Sequence, residues 1–278
     1  MQQLSGLPSL TPRLMALYHT LHGHYGHEPH WWPIFGPDRH WEIIIGALLV
    51  QQSKWERVEA TIIRLLDHQL YHPAALATTT PELLSPLLAG IAYPRQKAPK
   101  LIQLAQHLSH CAAGDTTRWL AQPTQPLRQE LLGLAGVGPE TADVILLYAG
   151  HHPVFVVDGY LRRLFARLDL IPNCATLPYE TLRATIEAAL PADLDLSAYR
   201  HLGDSRTMLF WDYHALINEH CIHHCLASRP HCETGSAPRR PFAQPEKCAG
   251  HCPPCSGCPL RPVCLAYNHR STASVIED

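Results

Sequence analysis

The chain has no long hydrophobic run and no export signal. Its longest apolar stretches, residues 43–50 and 154–157, fall well short of the roughly 18 residues that a membrane-spanning helix requires. The first residues carry neither the basic segment nor the apolar segment of a secretory signal peptide. We therefore expect a cytoplasmic protein with no membrane partner.

The chain also lacks an excess of positive charge. It has 22 Lys and Arg against 24 Asp and Glu, which gives a net charge of −2. A nucleic-acid partner would have to be held by local contacts, because no global field attracts it. Lysine itself is scarce and occurs only at positions 54, 97, 100 and 247. Few amines are therefore available for chemistry that needs one.

Cysteines, by contrast, are concentrated near the C-terminal end. Eight of the ten lie between residues 221 and 264. In a cytoplasmic chain this concentration favours metal ligation over disulfide bonds. Within it, residues 233–254 are rich in Gly, Ser, Pro, Arg and Gln, which indicates a loop or an insertion.

Apolar residues recur at helical spacing, and no segment alternates convincingly as a strand. The spacing predicts amphipathic helices separated by short turns rich in Pro and Gly, and therefore an all-α fold. The predicted buried faces are Leu14, Leu17, Tyr18 and Leu21; Ile43, Ala47, Leu48 and Gln51; Val58, Ile62, Leu65 and Leu66; and Leu101, Leu104, Ala105 and Leu108.

The segment 131–143 predicts two helices joined by a tight hairpin. The turn is Gly136-Val137-Gly138, and Pro139 suits the first position of the second helix. Glycines allow the backbone to approach a ligand closely, and amides at a helix N-terminus form an anion site that a DNA phosphate would suit. An ordinary helix–turn–helix corner explains this pattern about as well.

A carboxylate follows the next apolar run. Residues 154–157 lead directly to Asp158, which stands before a helix with a predicted buried face of Leu161, Leu164, Phe165 and Leu168. Taken alone, Asp158 would be interpreted as a helix N-cap. The neighbouring segments change that balance.

These segments resemble the helix-hairpin-helix (HhH-GPD) DNA glycosylase superfamily, which includes endonuclease III and the adenine glycosylases. Within it the chain is most similar to the endonuclease III-related branch that includes the bacterial 3-methyladenine glycosylases of the third type. The similarity runs from about residue 14 to 232 and resumes at 258. The segments that carry it are Trp31-Trp32-Pro33 and residues 45–55, 96–98, 136–143 and 156–158.

The resemblance implies a two-lobed fold and roles for two acidic residues. The expected lobes are residues 38–150, which end in the hairpin, and residues 1–37 plus 151–278, which include a cysteine-rich cluster segment at 225–264. Asp158 is implied to be the catalytic carboxylate that acts on a flipped nucleotide. Glu140 stands at the catalytic position where bifunctional endonuclease III has a lysine nucleophile. The resemblance therefore implies base removal without strand cleavage.

The resemblance also implies a set of DNA contacts. Gln51 corresponds to the residue that enters the gap left by the flipped nucleotide, and Gly136, Val137 and Gly138 form the phosphate-binding turn. Lys97 is a further candidate for a phosphate contact, although a solvated loop charge is an equal interpretation. Trp31, Trp32 and Pro33 are candidates for the base pocket, because unstacked bases are held on aromatic surfaces. Core packing is the alternative for one of the two tryptophans, since adjacent residues rarely face the same pocket.

Cluster-bearing members of the family end in Cys-x6-Cys-x2-Cys-x5-Cys, which holds a 4Fe-4S cluster. Two sets in this chain are compatible with that ending. We favour Cys225, Cys232, Cys258 and Cys264, with residues 233–254 as an insertion; the alternates are Cys248 and Cys255 in place of the first two. Zinc instead of a cluster is also compatible with such thiolate sets.

The sequence thus predicts a monomeric DNA glycosylase of base-excision repair, associated with the nucleoid, whose partner is double-stranded DNA containing a damaged base. Alkylated purines are the preferred substrates. Oxidised pyrimidines and mismatched uracil or thymine are the alternatives. A non-catalytic DNA-binding iron–sulfur protein is a further alternative of a different class.

Overall fold

The computed structural model describes residues 9–27, 29–191, 194, 196–233 and 257–268. Throughout this part of the chain the secondary structure is helical and no β-strand is present, which confirms the all-α fold class. None of the helices found there combines the length and the apolar character needed to cross a membrane.

The chain divides into two compact units. One is formed by Trp32–Val154, and the other combines Met1–Trp31 with Phe155–Asp278. Relative to the lobes expected from the sequence, residues 32–37 and 151–154 group with the central unit.

The central unit, Trp32–Val154, is built around α2. Every residue of this helix from Trp41 to Leu49 is buried, which accounts for its almost continuous apolar sequence. Asp38 begins the helix by accepting a hydrogen bond from the Trp41 backbone amide at 3.0 Å. The helices of this unit are α2 (Arg39–Leu49), α3 (Trp55–Asp67), α4 (Pro73–Thr78), α5 (Pro81–Leu87), α6 (Pro94–Ala112), α7 (Thr116–Leu120), α8 (Thr124–Leu132) and α9 (Pro139–Val144), which widens into a π-helical turn at Ile145–Ala149.

The second unit is organised around its longest helix, which is buried along nearly its whole length. A buried carboxylate on this helix, Asp212, accepts hydrogen bonds from the hydroxyls of Tyr18, at 2.7 Å, and Tyr199. The Tyr18 bond ties this helix to the first helix of the unit, and the Tyr199 bond ties it to a 3₁₀ turn. The elements of this unit are α1 (Leu10–Tyr25), α10 (Gly159–Arg167), α11 (Tyr179–Ala189), α12 (Ser205–His223), and 3₁₀ turns at Ser197–Leu202 and Arg261–Val263.

The apolar faces predicted from helical spacing are buried, with two exceptions at their margins. The members that are buried include Leu14, Leu17, Tyr18, Leu21, Val58, Ile62, Leu65, Leu101, Leu104, Ala105 and Leu108. Leu66 and Gln51 are only half-buried, because each lies at the edge of its face.

Candidate active site and cysteine cluster

Asp158 lies where the buried extended segment 154–157 enters α10. Its Oδ1 accepts a hydrogen bond from the Leu161 backbone amide at 2.7 Å, so the residue does cap the helix. The side chain is nevertheless not a surface cap, since Asp158 is only 8% exposed. The second carboxylate oxygen is left to interact with other groups.

Two residues of α12 contact that second oxygen. Nδ2 of Asn218 donates to Oδ2 of Asp158 at 3.0 Å, and Nε2 of His214 lies 3.4 Å from the same oxygen. His214 and Asn218 are four residues apart on one helix and therefore share a face. They also contact each other, with Asn218 Nδ2 at 3.2 Å from His214 Nε2.

The Asp158 carboxylate is held in its ionised form. Burial by itself raises the pKa of this carboxyl. The hydrogen bond and the charge of His214, with the hydrogen bonds from Leu161 and Asn218, outweigh burial and lower the pKa below its usual value. Asp158 is therefore a buried anion whose contacts within the second unit favour its charge.

Trp31 lies beside this group within the same unit. Its ring packs edge-on against the His214 imidazole, with ring centroids 5.9 Å apart. The indole Nε1 donates to Oε2 of Glu219 at 3.1 Å, and Glu219 in turn contacts His223 at 2.9 Å. The Trp31 ring thus packs on the same His214 side chain that contacts the Asp158 carboxylate.

Trp32 has a different environment from its neighbour. It is 7% exposed and belongs to the central unit, where it packs against Trp55 and Tyr148 with ring centroids 5.3 Å and 5.7 Å away. A Cβ placed on Gly46 would lie only 3.0 Å from the Trp32 ring, so α2 passes very close to it. These contacts give Trp32 a core environment, while Pro33 is half-buried.

Gln51 lies just beyond the end of α2 and contacts the hairpin. Its Nε2 donates to the carbonyl oxygen of Gly136 at 3.0 Å and to Oγ1 of Thr141 at 2.9 Å. One amide group therefore joins the turn to the first residues of α9.

Lys97 is buried beneath the same segment. It is 5% exposed, and its Nζ donates to the carbonyl oxygens of Leu49 at 2.8 Å and Gln51 at 2.6 Å. Burial, together with the charge of Lys100, lowers the pKa of Lys97 to about 8. The ammonium group satisfies carbonyls left over at the end of α2, so in this structure it is a backbone partner and not a surface charge.

The chain turns between α8 and α9 at Gly136-Val137-Gly138, where the sequence predicts a tight hairpin. Gly136 adopts a φ of +86°, which favours glycine, and Gly138 precedes α9 in extended conformation. The side chain of Lys100 lies directly against Gly136, where a Cβ would be 2.6 Å from Lys100 Cδ. Val137, between the glycines, is buried and anchors the turn. A lysine is thus positioned at the turn, although it was not among the predicted contacts.

A buried ion pair joins the two helices on either side of the hairpin. Arg128 of α8 donates to both carboxylate oxygens of Asp143 of α9, at 2.6 Å and 3.1 Å. This bidentate geometry fixes the two helices on either side of the turn. Glu140, by contrast, is exposed in the first turn of α9.

The four favoured cysteines, Cys225, Cys232, Cys258 and Cys264, line one cavity in the second unit. None of the seven cysteines among the described residues forms a disulfide. Burial, then the neighbouring thiols, raise the pKa of Cys258 to about 11. A hydrogen bond from Cys221 lowers the pKa of Cys225 to about 6; burial opposes this shift, and Arg167, whose Nη1 lies 2.9 Å from the sulfur, reinforces it. The alternates Cys248 and Cys255 lie outside the described residues.

Two cysteines of this cavity, one on each side of the predicted insertion, are joined through the backbone. The backbone amide of Cys258 donates to the carbonyl of Cys232 at 3.0 Å, so the second and third cysteines of the set are directly paired. Gly257, with φ +88°, makes this approach possible, because a Cβ there would lie 2.7 Å from the Glu233 carbonyl oxygen. Residues Glu233 and Gly257 therefore lie next to each other.

Comparison with known proteins agrees with this geometry. Residues 45–188 match the HhH-GPD superfamily of base excision DNA repair proteins. The chain belongs to this superfamily. A protein of Methanocaldococcus jannaschii named as a DNA repair glycosylase is 33% identical over 214 residues, which cover 76% of this chain and 88% of that protein. Endonuclease III of Thermotoga maritima is 29% identical over 153 residues, 55% of this chain and 66% of the relative.

Solved structures of the superfamily share the fold. The 3-methyladenine DNA glycosylase (MagIII) of H. pylori bound to 1,N6-ethenoadenine has a TM-score of 0.60 at 23% identity, covering 76% of this chain and 96% of its own. An endonuclease III–DNA complex has a TM-score of 0.63 at 18% identity, covering 96% and 100%. With the family established by sequence, this superfamily member is a DNA glycosylase.

Sequence reasoning did not identify His214, Asn218 or the Arg128–Asp143 pair as parts of these sites. The signal available in the sequence for the first two was the spacing of two hydrogen-bonding side chains four residues apart, which places them on one face of a helix.

Proposed function

We propose that the protein is a monofunctional DNA glycosylase that removes alkylated purines, with Asp158 as its catalytic carboxylate. The observation that carries the proposal is the environment of Asp158. It is buried, it accepts hydrogen bonds from Leu161 and Asn218, and it lies beside His214, so its negative charge is maintained away from water.

The chemistry requires such a fixed charge. When the bond between C1′ and the base nitrogen breaks, its electron pair leaves with the base and the sugar acquires oxocarbenium character. A preorganised carboxylate stabilises this positive charge, which exists only near the transition state. Water then adds to C1′, and its excess proton passes to the solvent. Asp158 supplies the charge, while His214 and Asn218 position it.

The preference for alkylated purines rests on Trp31. Many alkylated purines carry a positive charge, and an indole face adds about 0.5–2 kcal/mol of cation–π attraction for such a base. Trp31 is held in place by Glu219 and packs on His214, next to the carboxylate. The fold shared with a glycosylase that was solved with 1,N6-ethenoadenine supports the same choice. The core contacts of Trp32 leave Trp31 as the indole proposed to stack on the base.

Monofunctionality rests on the amines of the central unit. A lyase needs an amine that attacks C1′, and the position implied by family resemblance carries Glu140. Lys97 is committed to the carbonyls of Leu49 and Gln51, and Lys100 lies against Gly136. Both lysines therefore already contact the segments around the hairpin. We propose that Lys100 and the amides of the hairpin contact DNA phosphate, that Lys97 holds the segment which carries Gln51, and that Gln51 fills the gap left by the flipped nucleotide.

The alternative substrates are oxidised pyrimidines and mismatched uracil or thymine. They are favoured by the relationship to Thermotoga maritima endonuclease III and by the fold shared with a thermostable thymine-DNA glycosylase, at TM-score 0.63 and 15% identity over 94% of this chain and 100% of that one. A panel of duplexes distinguishes the candidates, each with a single 3-methyladenine, 1,N6-ethenoadenine, thymine glycol, uracil or mismatched thymine. We expect the fastest release for an alkylated purine. Faster release of thymine glycol, uracil or mismatched thymine would establish the alternative substrates. Binding of every duplex without base release would indicate a non-catalytic DNA-binding protein.

We further propose a 4Fe-4S cluster held by Cys225, Cys232, Cys258 and Cys264. The fit is good, because four cysteines that form no disulfide line one cavity, and the backbone hydrogen bond between Cys258 and Cys232 brings the two pairs together. Thiolate ligands are required, and Arg167 favours the thiolate of Cys225. The cluster would supply structural cross-linking of the chain near α10 and α12. Zinc is the alternative occupant, and metal analysis decides between them.

A further inference from the structure

A second group of metal-type donors lies in the central unit, apart from the C-terminal cysteines. His107 and Cys111 stand four residues apart on α6 and so share one face of that helix. Glu130 of α8 reaches this face, with Oε1 at 2.6 Å from Nε2 of His107. One ligand atom from each residue lies within 4.8 Å of the others, and no ion is present. We propose that His107, Cys111 and Glu130 form a zinc site.

The donor chemistry selects the metal. Imidazole nitrogen, thiolate sulfur and carboxylate oxygen together suit Zn²⁺, which takes all three in tetrahedral sites. Calcium and magnesium prefer oxygen alone, and an iron–sulfur cluster needs more than one thiolate. A neutral imidazole, a thiolate and a carboxylate carry a total charge of −2, which balances the ion. The fourth position is left for water, because His107 and Glu130 are partly exposed and Cys111 is exposed.

The carboxylate is already oriented by outer partners. Trp119 Nε1 donates to Oε1 of Glu130 at 2.8 Å, and Gln122 Nε2 donates to Oε2 at 3.0 Å. Metal-ligating carboxylates are typically held by such hydrogen bonds, which reduce the cost of ordering the ligand. An incidental His–Glu ion pair on a surface needs neither partner.

The position of the proposed zinc site in the fold indicates a structural role. A metal at this point would join the end of α6 to α8, the helix that leads into the hairpin. The same α6 also carries Lys100, which contacts Gly136. Zinc would therefore stiffen the support of the hairpin, and it would do so whatever base the enzyme removes.

Peptide-resolved alkylation tests the site without interference from other thiols. The full-length protein is treated with an alkylating reagent with and without Zn²⁺, and the modification of Cys111 is measured by mass spectrometry. We expect zinc to slow the alkylation of Cys111 at least about tenfold, as ligation of a thiolate removes the free nucleophile. H107Q and E130Q should abolish this protection. Replacing Gln122 by Ala should weaken zinc binding by about 10–100-fold.

The matched control is H110Q, which removes an exposed histidine from the same end of α6. Protection of Cys111 should be unchanged in H110Q and in C258S. Equal alkylation of Cys111 with and without zinc would overturn the proposal, as would protection that survives both H107Q and E130Q. Protection lost in C258S would assign the effect to the C-terminal cysteines and would also overturn it. None of these outcomes depends on glycosylase activity.

Discussion

Nε2 of His214 lies 3.4 Å from Oδ2 of Asp158, and this contact helps to keep the carboxylate ionised although it is buried. The active form proposed for Asp158 is the anion, so base release should decline as pH falls through its pKa. Removing His214 takes away a hydrogen bond and a favourable charge, and the pKa of Asp158 then rises. The acid limb of the pH–rate profile should therefore move to higher pH in H214L.

The conservative variant H214Q separates positioning from general structural damage. Glutamine retains a hydrogen-bond donor but no charge, so the acid limb should lie between those of the native protein and H214L. The same contacts affect folding. A carboxyl whose pKa is lower in the folded state than in the unfolded state stabilises the fold at pH values above its unfolded pKa. This stabilisation is lost as the pH falls through the folded pKa. Because H214L raises the folded pKa of Asp158, its stability should fall less on acidification than that of the native protein. An unmoved acid limb in H214L would contradict the assigned role.

Gln51 is predicted to hold the hairpin through its amide hydrogens. Q51E replaces the donor by a carboxylate oxygen that faces the carbonyl of Gly136. The lost bonds should cost about 1–3 kcal/mol of stability, and affinity for duplex DNA should fall. Q52E is the control, because it adds the same charge at an exposed neighbour. Equal effects of Q51E and Q52E in thermal unfolding and in DNA titrations would show that charge alone is responsible.

Strand cleavage is predicted to be absent. The native protein should release the base and leave the abasic strand intact, and borohydride should trap no covalent complex, because Glu140 offers no amine. E140K introduces an amine at the position implied by family resemblance and should create a trappable complex. Efficient trapping of the native protein would contradict monofunctionality.

The C-terminal cysteines give a prediction about iron. C258S and C264S should lose bound iron, whereas C248S should retain it. G257A should also lower iron content, since its Cβ would meet the Glu233 carbonyl at 2.7 Å and its φ of +88° is strained for alanine. If C225S retained iron and C248S lost it, the ligands would instead be Cys248, Cys255, Cys258 and Cys264. Stoichiometric zinc and no iron in the native protein would contradict the cluster proposal and would not affect the assignment as a glycosylase.

Sequence patterns predicted the features that depend on neighbouring residues. The helical faces, the tight turn at residues 136–138 and the placement of Asp158 at the start of α10 follow from local spacing and turn chemistry. The partners of Asp158 do not, because His214 and Asn218 come from α12, far along the chain. Burial is equally non-local. Lys97 resembles a surface charge in the sequence, and only the packing of α6 beside the end of α2 directs its ammonium group to backbone carbonyls.

The most direct test of the catalytic assignment is single-turnover base release by D158N on the best substrate of the lesion panel. Asparagine is as good a helix N-cap as aspartate, so folding and DNA binding should be retained. Loss of the negative charge should slow base release by at least about 100-fold, the scale on which electrostatic groups act in such sites. Release at the native rate in D158N would contradict the account.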